Sequence, residues 1–293
     1  MFGLKKKDKS APGSRPALSG KARLVIALSA LTVAGVCVAL HTLQQRLVTS
    51  RKYANRFARV ALVRPPAWVP PEAADEVLAQ TQQVARRRNI LDAALAHDVY
   101  NAAAANPWIA KVTRVTKYEN GRVLVQAKFR RPFAFVAAAG GDELTVVDPD
   151  GFVMPIAANR LRPEALPTVR DVASKPPRPG RKWDGADLAD GLRLLKLLQD
   201  RPYFNEIAVV DVRNFGGRIS QLEPHLRMHA RDNQGQQTDI RFGRFPAQDG
   251  LDYCVSPQRK LEYLDAYYQA NGRIAGLNQY IDLRYDRLHV SVN

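Results

Sequence analysis

The spacing of apolar and polar positions divides the chain into regions of different period. From Leu24 to Leu40 (LVIALSALTVAGVCVAL) there is no charged residue and no polar face. Counted on to Leu43, the run makes a helix of about 30 Å at about 1.5 Å per residue, which matches the hydrocarbon thickness of a bilayer. A transmembrane helix is therefore expected over 24–43. The run is longer than the apolar core of a signal peptide, and no small-x-small cleavage pattern precedes the Arg-rich segment after it, so the expectation is a retained anchor. Val36 precedes Cys37 inside the run, where a lipoprotein signal has a small residue.

Beyond the apolar run, short helical and strand-like periods alternate. Arg59 to Val63 reads as a strand and is followed by the proline-rich VRPPAWVPPE. A helix is expected from Pro71, with Glu72, Asp75 and Glu76 in its first turns and Arg86, Arg87 and Arg88 in its last, which complements the helix dipole. Ala74, Val77, Leu78, Thr81, Val84 and Ala85 share one face. A second helix is expected over Leu91–Ala105, ending before Asn106-Pro107. WIAKVTRVTKY and RVLVQAKF then alternate at period two around Glu119-Asn120-Gly121, a hairpin with an Asn-Gly turn. The order is strand, helix, helix, strand, strand.

A second unit follows. ELTVVD leads through the turn Asp148-Pro149-Asp150-Gly151 into FVMP, then LPTV, then a proline-rich loop. Next comes a helix with Asp184 as its expected cap and Leu188, Leu192, Leu195 and Leu198 on one side. EIAVVDV, HLRMHARD, the turn Asn233-Gln234-Gly235 and QTDIRF read as antiparallel strands. Ser256-Pro257 opens one more helix, with Leu261, Leu264 and Tyr268 buried and Asn271-Gly272 at its end. The chain closes on QYIDLRYDRLHVSVN, from Gln279 to Asn293, which alternates like a half-buried strand with no Pro, Lys or following segment to blunt its edge. Within it Ile281, Leu283 and Tyr285 have odd parity and Leu288, Val290 and Val292 even parity. An extra residue or bulge at Asp286-Arg287 is expected to restore one face to the core.

Charge changes the picture only near the anchor. The formal charge of +16 over 293 residues would suit nucleic acid if it covered a folded face. Residues 1–23 instead carry +6, residues 41–64 hold six basic and no acidic residues, and Pro65–Asn293 is left with +4. The excess forms two collars around the apolar run, which argues against a nucleic-acid binder. Both flanks are basic, so orientation rests on length. The short Lys-rich tail is expected inside the cytoplasm and the long domain outside. Cys37 lies in the span and Cys254 is alone in the large domain, so no disulfide within that domain is expected.

Candidate chemistry is sparse. His225 and His229 fall in a strand-like segment with no Cys or carboxylate at ligand spacing and read as solvent-facing. Asp148-x-Asp150-Gly151 lacks the later ligands of a calcium loop and reads as a turn. Cys254, between Tyr253 and Val255, reads as strand packing. The expectation is no metal, no cofactor and no catalytic residue.

Three stretches carry a likeness to a known family: NPWIAKVTRV…GRVLVQAKFRRPFAFV from Asn106, VVDPDGFVMP…LPTV from Val146, and YIDLRYDRLHVSV from Tyr280. In their order and spacing, behind a basic tail and one span, the chain resembles the FtsQ/DivIB cell-division proteins of bacteria. It departs from that pattern where Phe129 precedes Arg130-Arg131-Pro132-Phe133-Ala134, a place where the family commonly has Glu, and in a longer helical segment between Val63 and Asn106.

The resemblance implies an α+β fold. A cytoplasmic tail (1–23) and the span (24–43) would lead into a POTRA-type β-α-α-β-β unit with its linker (44–137). A mainly antiparallel β unit with two helices (138–293) would follow. It implies a non-enzymatic scaffold of the division septum in the bacterial inner membrane. Its partners would be small coiled-coil membrane proteins of the FtsB/DivIC and FtsL types. The FtsB-type partner would add a strand to the terminal edge. The family's contact region falls here on Arg284 and Tyr285 and on the strand Leu288, His289, Val290, Ser291 and Val292. Arg130 and Arg131 are candidate contacts of the first unit. A membrane-tethered envelope enzyme or small-molecule sensor is the alternative, and a cleft with converging carboxylates or histidines would favour it.

Overall fold

The computed structural model describes residues 20–49, 58–162, 166–246 and 254–291. The basic tail before Gly20, the Arg-rich linker over 50–57, Tyr253 and Val292 lie outside them. Helix α1 (Gly20–Thr49) contains the whole apolar run. Its apolar side chains are exposed along their length, Leu31 to 74%. Over Leu24–Arg46 it is long and apolar enough to cross a membrane. The hydroxyls of Ser29, Thr32 and Thr42 donate to carbonyls of their own helix, at Val25, Ser29 and Ala39, so they carry no unmet donor into an apolar medium.

The next five elements are β1 (Arg59–Leu62), α2 (Pro71–Ala85), α3 (Leu95–Ala104), β2 (Ile109–Lys117) and β3 (Arg122–Phe129). They form a three-stranded sheet in the order β1-β3-β2, with β1 parallel and β2 antiparallel to β3. The β2–β3 turn is the expected one. Gly121 has φ 84°, and the Asn120 side-chain oxygen accepts from the Arg122 N–H at 3.1 Å. Ala73, Val77, Thr81 and Ala85 are the buried row of α2, four residues apart and therefore on one face. Gln82 ties this helix to the sheet by accepting from Val60 N–H and donating to the Ala58 carbonyl. Helix α3 begins at Leu95 rather than Leu91. The side chains of Asn89 and Asp92 accept from the N–H groups of Leu91 and Ala94 and hold the preceding residues in turns.

The rest forms a nine-stranded sheet from β4 (Ala134–Ala138), β5 (Leu144–Val147), β6 (Val153–Ala157), β7 (Thr168–Val172), β8 (Ile207–Asp211), β9 (Leu226–Arg231), β10 (Gln237–Gly243), β11 (Tyr280–Asp282) and β12 (His289–Val290). Its order is β12-β11-β10-β9-β8-β7-β4-β5-β6. Five neighbouring pairs are antiparallel, and β4–β7, β7–β8 and β10–β11 are parallel. Parallel neighbours need a crossover. Helix α4 (Ala186–Leu198) supplies it between β7 and β8, and α5 (Pro257–Asn271) between β10 and β11. The protein is thus a mixed α+β structure, with five helices among the described residues.

Strands β4 to β6 are buried on both faces. Ala134, Val136, Val147 and Val153 join the core under α4. Phe135, Val146 and Met154 point the other way into the core of α2 and α3. The small sheet and the large one therefore share packing, and β4 straddles the boundary expected at residues 137 and 138.

The caps of α5 are as read: the Ser256 hydroxyl accepts from Arg259 N–H at 3.2 Å, and Gly272 takes φ 72°. Tyr267 rather than Tyr268 is the buried ring of that helix. Asp184 does not cap α4. Gly185 stands at that position, and the Asp187 carboxylate serves instead, accepting from the N–H groups of Leu188 and Ala173 and from Arg218. Cys254 lies in the loop before α5, not in a strand, and its thiol donates to the Arg244 carbonyl at 3.3 Å.

Candidate docking edge

The terminal residues fold differently from the single bulged strand expected. β11 carries Ile281 inward, the chain reverses through Arg284–Arg287, and β12 returns antiparallel, with Ile281 opposite Val290 and Asp282 opposite His289. The change of parity at Asp286-Arg287 marks a reversal rather than a bulge. Leu283 is buried before it and Leu288 packs on the same core after it. β12 is the end of the nine-stranded sheet, and among the described residues no strand pairs with its outer side.

Three contacts hold the reversal. Arg284 lies against Asp282, its Nε 3.0 Å from Oδ1 and its terminal nitrogen 2.8 Å from Oδ2, and its other nitrogen donates to the Leu222 carbonyl at 2.7 Å. The hydrogen bonds to Asp282 raise the Arg284 pKa, against the opposing effect of burial. The Tyr263 hydroxyl of α5 donates to the Asp286 carbonyl. Arg284 is therefore committed inside the chain, neither a solvated charge nor a free contact. Asp282 is only 3% exposed, so the guanidinium compensates a buried carboxylate.

The other expected contact residues separate into two groups. Ser291 is buried. Its hydroxyl accepts from the N–H groups of Gln279 and Tyr280, and its carbonyl accepts from the Asn278 side chain at 2.6 Å. Ser291 and the inward-packed Leu288 hold β12 in place and are not presented to a partner. Tyr285, His289 and Val290 are exposed, Tyr285 to 51% and Val290 to 37%. The Tyr285 ring meets the His289 ring edge-on at 5.1 Å. Val292 lies outside the described residues.

The backbone of β12 has a definite direction. Ser291 N–H donates to the Tyr280 carbonyl at 3.1 Å, which makes that facing pair hydrogen-bonded. Pairs alternate along an antiparallel ladder, so Val290 opposite Ile281 is the non-bonded pair and its N–H and C=O point away from β11. That donor and acceptor stand at the edge beside the exposed Tyr285 and Val290 side chains. Sequence reading missed Leu222 and Ile219, which are 86% and 64% exposed on the loop that Arg284 holds through the Leu222 carbonyl. Their signal was two large apolar residues in GGRISQLEP outside any periodic segment.

Arg130 and Arg131 part company. Arg130 stands over the Phe152 ring at 3.8 Å and donates to Asp148 Oδ2 at 2.6 Å. Asp148 is 2% exposed, and its other oxygen closes the turn by accepting from Asp150 and Phe152 N–H. Arg130 thus joins the end of β3 to the β5–β6 turn, and only Arg131 is exposed. His225 and His229 are half-buried rather than solvent-facing. Burial, then the nearby Arg244, pushes the His225 pKa down, and His229 Nδ1 lies 4.0 Å from Asp239. Among the described residues, no three His, Cys, Asp or Glu side chains group as metal ligands.

No protein-family model matches the chain, and no curated protein matches it.

Proposed function

We propose that this protein is a non-enzymatic, membrane-anchored scaffold of the FtsQ/DivIB kind. In this reading α1 is retained in the bacterial inner membrane with the N-terminus in the cytoplasm, and the β-α-α-β-β unit is of POTRA type. The large sheet docks a small FtsB/DivIC-type division protein, with an FtsL-type protein in the same septal assembly. The observation that carries the reading is the outward-facing backbone of Val290 on the end strand of the nine-stranded sheet, beside exposed Tyr285. Strand addition uses such an edge: main-chain bonds supply affinity and alternate side chains supply specificity. The clasp of Arg284, Asp282 and Tyr263 supports the reading too, because an edge already held in shape loses less entropy on binding.

Affinity purification of the full-length protein from its native membranes, with mass spectrometry, tests the proposal. Small single-span proteins with coiled-coil heptads are the expected co-purifying species. A preparation that lacks them, and instead turns over or retains a small molecule, overturns it.

A further inference from the structure

A second surface lies away from the docking edge. Between α2 and β6 there is a groove of about 560 Å³ whose walls include Trp68, Trp108, Pro70 and Pro132. Trp68 is 40% exposed. Glu72 and Glu76, one turn apart on α2, give this groove an exposed acidic wall, against the single cation Arg160 from the β6 side. Aromatic and proline walls next to carboxylates suit an extended proline-rich segment that carries basic residues. The preformed polyproline II helix stacks on the exposed Trp68 ring, over a floor that includes the largely buried Trp108, and its cations meet the acids.

The chain displays such a segment. Lys175-Pro176-Pro177-Arg178-Pro179-Gly180-Arg181 connects β7 to the strand-like residues before α4, and Lys175, Pro176, Arg178, Pro179 and Arg181 are exposed. Its prolines lack N–H donors and fix φ near the polyproline II value. The far end is anchored. Gly180 N–H donates to the Val153 carbonyl at 2.8 Å, and Val153 N–H donates to the Arg181 carbonyl at 3.0 Å. Gly180, at φ 82°, lies so close to the Pro107 ring that a Cβ there would sit 3.2 Å from it. Pro107 is the neighbour of Trp108, so loop and groove share one surface.

We propose that the Trp68–Trp108 groove is a docking site for the Lys175–Arg181 loop of a second copy of this chain. With donor and acceptor features on one surface, a two-fold arrangement places each loop in the other copy's groove and makes both contacts at once. None of the docking-edge residues takes part, so the proposal stands or falls separately from the scaffold reading.

The test uses full-length protein in detergent micelles, mixed as equal amounts of nitrogen-14 and nitrogen-15 material and treated with a zero-length carbodiimide. Peptides joining Glu72 or Glu76 to Lys175 are expected, about half of them carrying one label on each side, as random two-fold pairing requires. Glu72→Lys with Glu76→Lys should lose the link, and so should Lys175→Glu with Arg178→Glu. Mixing these two variants should restore a link of reversed polarity. Thermal melting of each variant separates lost docking from lost folding. Same-label links only, no link in the wild type, or a groove filled by another protein while the copies stay unlinked would each overturn the proposal.

Discussion

Ser291 donates its backbone N–H to the Tyr280 carbonyl at 3.1 Å, and this bond sets which residues of β12 face outward. His289 and the Ser291 N–H face β11, the Ser291 carbonyl accepts from the Asn278 side chain, and Val290 turns its own groups toward the open edge. Val290→Pro removes the outward N–H of β12. It should abolish capture of the small division protein and leave the melting temperature nearly unchanged. His289→Pro cuts the internal ladder and should lower the melting temperature as well. Co-purification and thermal melting of the two variants, side by side, check this. Equal capture by wild type and Val290→Pro would remove strand addition from the mechanism.

Tyr285 and Arg284 are adjacent but do different work. Tyr285→Ala removes an exposed ring, so stability should stay within about 0.5 kcal/mol. Binding should fall by about 2 kcal/mol, or roughly thirtyfold, if the ring is an interface anchor. Arg284→Ala leaves the buried Asp282 carboxylate with only Arg241, 3.8 Å away, and should cost about 2 kcal/mol of stability, less than the loss of a sole partner in a fully buried pair. Urea unfolding paired with a binding titration separates the two. A destabilising Tyr285→Ala with unchanged binding would reverse the assignment.

Local chemistry made much of this structure legible. Asn120-Gly121, Pro71, Ser256 and Gly272 each act through their own backbone or side chain, so turn and caps stand where they were read. The terminal reversal was not legible in the same way. Asp286-Arg287 contains no Gly, Pro or Asn to announce a turn, and the contacts that hold it come from Leu222 and Tyr263, distant in sequence. Alternation registers a change of face but cannot tell a bulge from a reversal. Asp282-x-Arg284 did carry a signal, since residues two apart on a strand share a face and opposite charges there can pair. Reading Arg284 as a partner contact overlooked it. Asp184 stands before the leucine period, where a cap is expected. Gly185, at that position instead, leaves the work to Asp187, whose partners Ala173 and Arg218 lie far away in the chain.

Asp187 also gives the fold a pH dependence. Burial alone would push its carboxyl up. The Ala173 N–H, Arg218 and the Leu188 N–H together outweigh burial and hold the pKa below the usual aspartate value. A depressed folded-state pKa contributes stability that is present above the unfolded value, about 3.9, and is lost as pH falls through the folded one. Asp187→Asn should therefore be less stable than wild type at pH 7, with the gap closing as pH falls below about 4. Melting curves across that range test it, and a gap that widens in acid would contradict the assignment.

Arg130 and Arg131, neighbours in sequence, should respond in opposite ways. Arg130→Ala strips the counter-ion and the cation over Phe152 from a turn whose Asp148 is 2% exposed, leaving a buried carboxylate that still accepts from Asp150 and Phe152 N–H. The expected loss is about 3 kcal/mol, the range for breaking one side of a buried pair. Asp148→Ala should cost a comparable amount, and the double variant less than the two losses added, because the partners no longer abandon one another. Arg131→Ala, at an exposed position, should stay within about 0.5 kcal/mol. Urea unfolding of the four variants closes the double-mutant cycle. If the Arg130 and Asp148 losses are strictly additive, the ion pair does not join β3 to the β5–β6 turn, and Arg130 is free to serve a partner instead.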